Sequence, residues 1–438
     1  MSTKRQLFGT DGVRGEAGTF LTAELATALG KAAAASLDAE RPQVLIVRDT
    51  RESGPMLESA LAAGIAAAGG DALLGGVLPT PAAAVLVKRL GLDLAAVVSA
   101  SHNPYRDNGI KFFSALGTKL DDKAEARIET LLDAAADDAE PGQVRELNGG
   151  LEDYLRALQA AFPLDLSGHH VMLDCANGAT FRAAPGIFKR LGATVETIGA
   201  EPDGRNINEG CGSTHLEHLA SAVSGSKATI GFAFDGDGDR VLAVDGSGRS
   251  HDGDELIALI ARGMAVRGEL SGGVAVTVMS NYGFHQAMEQ AGIDVAVTSV
   301  GDRYVLDELR ERDWALGGEQ SGHIIDTRIV ATGDGIAAAL ATMRELGGGD
   351  LAAVEAMEKL PQTLVNVKVA DREAIAGAKP VWEAVEREEK ALEGRGRVLL
   401  RPSGTEPLVR VMVEAASADQ AQSIADRLAT VVRAQLTL

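Results

Sequence analysis

Short runs of Val, Ile, Leu and Ala alternate along the chain with Ala-rich stretches of helical length. Residues 44–47 read as a buried strand, and residues 56–68 as a helix closed by Gly69 and Gly70. Thr80-Pro81 supplies an N-cap followed by Pro at the first helical position, which predicts a helix running to Gly91. Residues 95–98 and 110–113 are strands on either side of a polar loop. The pattern then recurs twice. Strands at 171–173, 194–198 and 230–234 accompany a helix at 181–191. Strands at 274–278, 295–298 and 314–316 alternate with helices at 283–290 and 304–310. Strands separated by helices of this size predict βαβ units with right-handed crossovers.

The C-terminal part differs, with strands at 365–369, 397–400 and 409–413 and helices at 381–392 and 418–429. The expected architecture is three similar α/β domains with mixed sheets plus a C-terminal α+β domain, arranged around a central cleft. Glycine-rich or proline breaks put the boundaries at 1–149, 150–253, 254–363 and 364–438. No strict short period accompanies the recurrence, so a solenoid is excluded.

Composition narrows the class. Of 438 residues, 45% are hydrophobic and 24% charged, which excludes disorder as the main state, while only 4% are aromatic. The cores must therefore be packed from Ala, Val, Leu and Ile. The 42 basic residues against 62 acidic ones leave a net charge of −20. Such a surface repels nucleic acid and anionic lipid, so neither is an expected partner. Any anionic substrate needs local cations. Two cysteines without CxxC spacing make no disulfide framework. No apolar leader follows Met1, and no apolar run reaches about 18 residues. A cytoplasmic protein is expected.

Four loops carry chemistry, each after an apolar strand. Ser99-Ala100-Ser101-His102-Asn103-Pro104 offers hydroxyls for nucleophilic attack, although the same residues also make an ordinary turn; no GxSxG elbow occurs. In Asp235-Gly236-Asp237-Gly238-Asp239-Arg240 three carboxylates stand at alternate positions. Like charges gathered this way call for an oxygen-ligated Mg²⁺ or Ca²⁺, and Arg240 suits an anion beside the metal. An EF-hand is excluded, because its Gly and Glu positions hold Arg240 and Gly246. The third loop, Arg401-Pro402-Ser403-Gly404-Thr405-Glu406-Pro407 with Arg410 beyond it, has the donors of a phosphate cradle without being a Walker loop. The fourth, Gly317-Gly318-Glu319-Gln320-Ser321-Gly322-His323, suits sugar hydroxyls or an amino group, or is a turn with incidental polar residues.

These motifs, with the opening Phe8-Gly9-Thr10-Asp11-Gly12-Val13-Arg14-Gly15, resemble those of the α-D-phosphohexomutases, in the same order over essentially the whole chain. The resemblance implies that Ser101 is a phosphoserine. It also implies that Asp235, Asp237 and Asp239 hold one Mg²⁺ per chain together with the Ser101 phosphate. Lys111, within Asn108-Gly109-Ile110-Lys111-Phe112-Phe113, takes the place of the family's general acid/base, its pKa expected to be lowered by metal and Arg side chains. Arg14 offsets charge on the transferring group and His102 supports the serine. Arg240, Asp302, Glu319 and Ser321 bind the substrate, and Arg401, Ser403, Gly404, Thr405 and Arg410 its distal phosphate. The opening motif, the Asn108–Phe113 stretch and Gln320 point to members acting on a phosphorylated hexosamine through a bisphosphorylated sugar that is both intermediate and activator. A homodimer is compatible with this reading. The alternatives are a phosphomannomutase or phosphoglucomutase, a haloacid-dehalogenase-type phosphatase with Asp235 as nucleophile, and a Ca²⁺-binding protein. The phosphatase leaves the serine and Arg401 loops without a role.

Overall fold

The apolar runs become the middle strands of four sheets. The computed structural model describes residues 7–9, 11–132, 140–403 and 406–436. The first domain contains β1 (Val13–Glu16), α1 (Ala23–Ala35), β2 (Gln43–Arg48), α2 (Gly54–Ala67) and β3 (Asp71–Val77). It continues with α3 (Thr80–Arg89), β4 (Leu94–Val98), β5 (Asp107–Ser114), α4 (Asp122–Leu131) and β6 (Val144–Glu146). Its sheet order is β1-β5-β4-β2-β3-β6. The second has α5 (Gly150–Ala161), β7 (His170–Asp174), α6 (Ala183–Arg190), β8 (Thr194–Ile198), α7 (Glu217–Ser224), β9 (Ile230–Phe234), β10 (Val241–Asp245) and β11 (Ser250–His251), ordered β11-β10-β9-β7-β8.

The third has α8 (Gly253–Val266), β12 (Val274–Thr277), α9 (Tyr282–Gln290), β13 (Val295–Thr298), α10 (Asp302–Arg312), β14 (Leu316–Gly318), β15 (Ile324–Asp326) and α11 (Gly335–Leu346), ordered β13-β12-β14-β15. The fourth is an antiparallel sheet, β16-β18-β17, of β16 (Gln362–Lys368), β17 (Arg397–Pro402) and β18 (Leu408–Glu414), with α12 (Lys379–Leu392) and α13 (Ala418–Leu436). By packing, the chain forms two units. One is Met1–Met279 with Ile293–Glu355, and the other Ser280–Gly292 with Ala356–Leu438, so α9 belongs with the C-terminal sheet. Glu414 makes that link, accepting the Tyr282 N–H (2.8 Å) and the Arg397 Nε–H (2.8 Å).

The first three sheets repeat one plan. A leading strand (β2, β7, β12) lies between two parallel neighbours, β3 and β4, β8 and β9, or β13 and β14. A last strand (β5, β10, β15) then returns antiparallel beside the third. The serine, aspartate and Glu319 loops each join the third strand to the fourth, so all three are hairpin connections rather than strand-to-helix turns. β9 is accordingly an inner strand, between β7 and β10. The small-residue composition is used in packing: a Cβ on Gly64 of α2 would stand 2.0 Å from the Thr27 carbonyl oxygen of α1. Only a glycine admits that approach.

Two boundaries differ from expectation. The strand expected at 314–316 lies at Leu316–Gly318, because Gly317 and Gly318 carry no strand signal of their own. α3 starts at Thr80 after Pro79, with no side-chain cap. The Thr80 hydroxyl instead donates to Asp237 Oδ2 at 2.6 Å. Among the described residues no helix is long and apolar enough to cross a membrane.

One buried contact between α5 and the start of α11 makes stability pH-dependent. Tyr154 donates to both carboxylate oxygens of Asp334 (2.9 and 3.0 Å), and Asp334 Oδ1 caps α11 by accepting the Ala337 N–H at 2.9 Å. Burial raises the Asp334 pKa to about 6, although these hydrogen bonds oppose the rise. The unfolded value is about 3.9. Between the two the native state holds the extra proton, so this group's contribution falls as pH rises from about 4 to 6. Asp334→Asn keeps the capping oxygen and removes the titration. Its stability is expected to gain on the wild type by on the order of 2–3 kcal/mol across that window. Chemical denaturation at pH 4 and pH 7 checks this; parallel pH profiles would contradict it.

Candidate active site

Ser101 is held in a conformation that side chains rarely adopt, with φ 52°, and is 3% exposed. Its hydroxyl donates to Asp235 Oδ2 at 2.6 Å, across 134 residues of sequence. His102 Nδ1 lies 3.4 Å from Ser101 Oγ. Burial, then Arg240 and Arg14, hold the His102 pKa below its usual value, which favours the neutral imidazole. The loop's shape comes from Arg51, a fully buried guanidinium. It donates to the carbonyls of Ser101, Asn103 and Asp107, each at 2.9 Å, and to that of Pro104. Asp49 orients it, 2.8 Å from Nε, and also accepts the Ser99 hydroxyl at 2.6 Å. The Ser101 N–H in turn donates to Ser99 Oγ. Sequence reasoning missed Asp49 and Arg51. The available signal was Asp49-Thr50-Arg51 directly after β2, at a strand end where ligand loops cluster.

Asp235, Asp237 and Asp239 are buried and offer oxygens all within 4.8 Å of one another. Gly236 allows the loop to lie against the serine loop, since a Cβ there would be 2.5 Å from the Ser101 carbonyl oxygen. Burial, then Asp239 and Asp237, push the Asp235 carboxyl well above the usual range. Burial acts the same way on Asp237, but the Lys111 ammonium, the Thr80 hydroxyl and Arg14 overcome it and hold Asp237 low. Asp237 Oδ1 and Asp239 Oδ1 are buried without a hydrogen-bond partner. Buried anionic oxygens of this kind fit a hard divalent cation, which would supply their missing contacts.

Lys111 sits on β5 opposite Val97 of β4, and Arg14 on β1 opposite Gly109. Lys111 Nζ is 2.7 Å from Asp237, 3.6 Å from Asp239 and 3.9 Å from Asp11. Burial opposes its charge, yet these three carboxylates raise its pKa. The expected lowering rests on a bound metal and Arg side chains; the protein groups facing the ammonium are anions, and Arg14 is engaged with Asp11. Asp11 also pairs with Lys119, which reaches Asp302 at the start of α10. Lys119, absent from the sequence reading, thus ties the first domain to the third.

Asp11, Arg14, Ser101, His102, Asp239, Arg240, Asp302, Glu319, Ser321 and His323 all line one cleft of about 910 Å³. His323 is paired in register with Arg240, which seats the Glu319 loop beside the aspartates. Glu319 Oε1 accepts the Gly301 N–H at 3.1 Å. Both ring nitrogens of the buried His323 lack hydrogen-bond partners, and Nε2 is 3.7 Å from Asp302 and 3.8 Å from Asp239. Burial opposes the Arg240 charge, but Asp239, Asp235 and Glu319 raise its pKa. The cleft thus carries a hydroxyl, a carboxylate cluster and fixed cations, an inventory suited to phosphoryl transfer.

In the C-terminal unit, Arg401 on β17 stands directly opposite Arg410 on β18. Like charges so placed repel. Burial, then Arg410, lower the Arg401 pKa, and Arg410 Nε is buried without a partner. Neither guanidinium has an ion pair among the described residues. Ser403 is buried, and its hydroxyl accepts the Glu406 N–H at 3.3 Å. Such a turn is suited to an anion. Gly404 and Thr405 lie outside the described residues.

Fold and cleft together define a multidomain enzyme of phosphosugar chemistry. Four family models match in sequence order. They are phosphoglucomutase/phosphomannomutase α/β/α domain I at residues 5–138, domain II at 152–248, domain III at 252–364, and the C-terminal domain at 364–431. A phosphoglucosamine mutase of Pelotomaculum thermopropionicum is 49% identical over 439 residues, covering 98% of this chain and 99% of that protein. One from Mycolicibacterium vanbaalenii is 51% identical over 442 residues, again covering 98% and 99%. A solved phosphoglucomutase/phosphomannomutase family protein of Burkholderia thailandensis shares the fold, with a TM-score of 0.83 at 24% identity over 98% of this chain and 97% of that one. The chain belongs to the phosphoglucomutase/phosphomannomutase family, the α-D-phosphohexomutases. It is an isomerase that moves a phosphoryl group on a phosphorylated sugar. The expected four-domain architecture holds as well.

Proposed function

We propose that the protein interconverts glucosamine 6-phosphate and glucosamine 1-phosphate. The observation that carries the reading is the Ser101 hydroxyl 2.6 Å from a buried aspartate trio. The near-full-length likeness to phosphoglucosamine mutases supports the hexosamine. In this reading Ser101 carries a phosphoryl group. The bond from Ser101 Oγ to phosphorus breaks as the sugar's free hydroxyl oxygen bonds phosphorus, giving the 1,6-bisphosphate. After that sugar turns over, the other phosphoryl returns to Ser101 and the product leaves. Lys111 holds the proton exchanged between the Ser101 oxygen and the sugar hydroxyl. Arg14 and Arg240 face the negative charge of the group in transit, and His102 braces the serine. Asp235, Asp237 and Asp239 hold Mg²⁺, which when bound supplies positive charge for the phosphoryl oxygens. Glu319, Ser321 and Asp302 hold the sugar, while Arg401, Ser403, Gly404, Thr405 and Arg410 hold the phosphate that is not being transferred.

An aspartyl-nucleophile phosphatase is not favoured. The Asp235 carboxylate accepts the Ser101 hydroxyl, which ties it to the serine, and that reading leaves the serine and Arg401 loops without a role. Side-by-side turnover of glucosamine, glucose and mannose 6-phosphates tests the proposal. Glucosamine 6-phosphate is expected to give the highest kcat/KM, with activity lost on chelation and restored by Mg²⁺. A higher kcat/KM for glucose or mannose phosphate would reassign the substrate.

A further inference from the structure

We propose that Asn208 is a positioning residue for phosphoryl transfer, acting through the main-chain carbonyl of Ser101. The inference rests on the mutase reading and adds a residue that holds the serine in register with the aspartates. Asn208 lies in the second domain between β8 and α7, is 8% exposed and has φ 59°. Its Nδ2 donates to the Ser101 carbonyl at 2.9 Å and the Asn103 carbonyl at 3.2 Å, across the domain boundary.

The Ser101 carbonyl has a second donor, Arg51. Arg51 belongs to the serine's own domain, so it shapes the loop without fixing it relative to Asp235. Asn208 comes from the domain that carries Asp235. Its backbone N–H donates to Ala176 O at 2.9 Å. From the same turn Ala179 N–H donates to Gly236 O of the aspartate loop at 2.8 Å, and Thr50 of the first domain donates to Asn177 O. The turn at 176–179 therefore holds both Asn208, which grips the serine loop, and the aspartate loop.

Backbone strain collects at this junction. Of the six non-glycine residues with positive φ among the described residues, Ser101, Ala176, Asn177 and Asn208 account for four. Strain of this kind persists where surrounding structure over-determines it and is typical of functional sites. A misplacement of about 1 Å between reacting groups costs on the order of 100-fold in rate.

Asn208→Gly and Asn208→Asp both tolerate positive φ, so they delete the donor without adding backbone strain. Single-turnover transfer from phosphorylated Ser101 to glucosamine 6-phosphate is expected to slow by about 10- to 100-fold in both. The Asp variant should be the slower, since it sets an oxygen against the carbonyl. KM for glucosamine 6-phosphate and the thermal midpoint should stay near wild type. Wild-type transfer rates in both variants would overturn the proposal. So would a loss that tracks a lowered midpoint and a raised KM, which would assign Asn208 to stability alone. Failure of the wild-type enzyme to transfer would fall on the mutase reading and take this inference with it.

Discussion

Ser101→Ala is expected to lower turnover by on the order of 10⁴-fold or more, with no phosphate left on the protein by intact mass. The substitution removes one oxygen from a site whose framework does not depend on it. The loop keeps its main-chain grips from Arg51 and Asn208, and the Ser101 N–H keeps its bond to Ser99 Oγ. The folded state should persist, because the carboxylate that loses its donor, Asp235, also accepts the Gly238 N–H at 3.0 Å. Ser99→Ala is the informative contrast. It removes a hydroxyl that bonds Asp49 rather than the aspartate trio, so it should loosen the loop and keep the phosphorylation site. A phosphate remaining on Ser101→Ala, or turnover within tenfold of wild type, would remove Ser101 from the chemistry.

The four reactive loops were legible in the sequence because each packs its chemistry into a short stretch after an apolar strand. Their supports were not, because they are assembled across distance. Arg51 reaches residues 50 to 56 positions away, Asn208 reaches Ser101 across 107, and Thr80 reaches Asp237 across 157. Asp49-Thr50-Arg51 after β2 marks a strand end, but nothing local shows that its arginine will be buried against four carbonyls. Thr80 illustrates the ambiguity: Thr-Pro reads as a helix start, and the hydroxyl that would cap it bonds Asp237 of the aspartate loop instead. The charges around Lys111 are non-local in the same way, since the first and second domains bring Asp11, Asp237 and Asp239 to one ammonium. The repeat plan was visible only as alternating strands and helices. That the reactive loops are hairpins follows from the antiparallel fourth strands, whose direction no sequence pattern specifies.

Lys111→Met should separate the charge pairing of this ammonium from the proton transfer proposed for it. The side chain is 2% exposed and faces Asp237, Asp239 and Asp11. Removing one partner of a buried pair leaves uncompensated charge, at a cost of about 3–5 kcal/mol. Losing the proton carrier should cost a further 10²- to 10⁴-fold in kcat. The acid side of the stability profile carries a signature of its own. Asp237 is held below its unfolded pKa mainly by Lys111. Its contribution is therefore present above the unfolded value and lost as pH falls through the folded one. Without Lys111 that depression disappears, so acid unfolding should begin at higher pH in the variant. Lys111→Arg supplies the discriminating measurement. A guanidinium keeps the charge but does not exchange a proton near neutral pH, so stability should largely return while kcat stays low. Recovery of kcat in Lys111→Arg would show that charge alone matters and would end the acid/base assignment. A Lys111→Met enzyme matching wild type in both midpoint and rate would mean that the ammonium serves neither task.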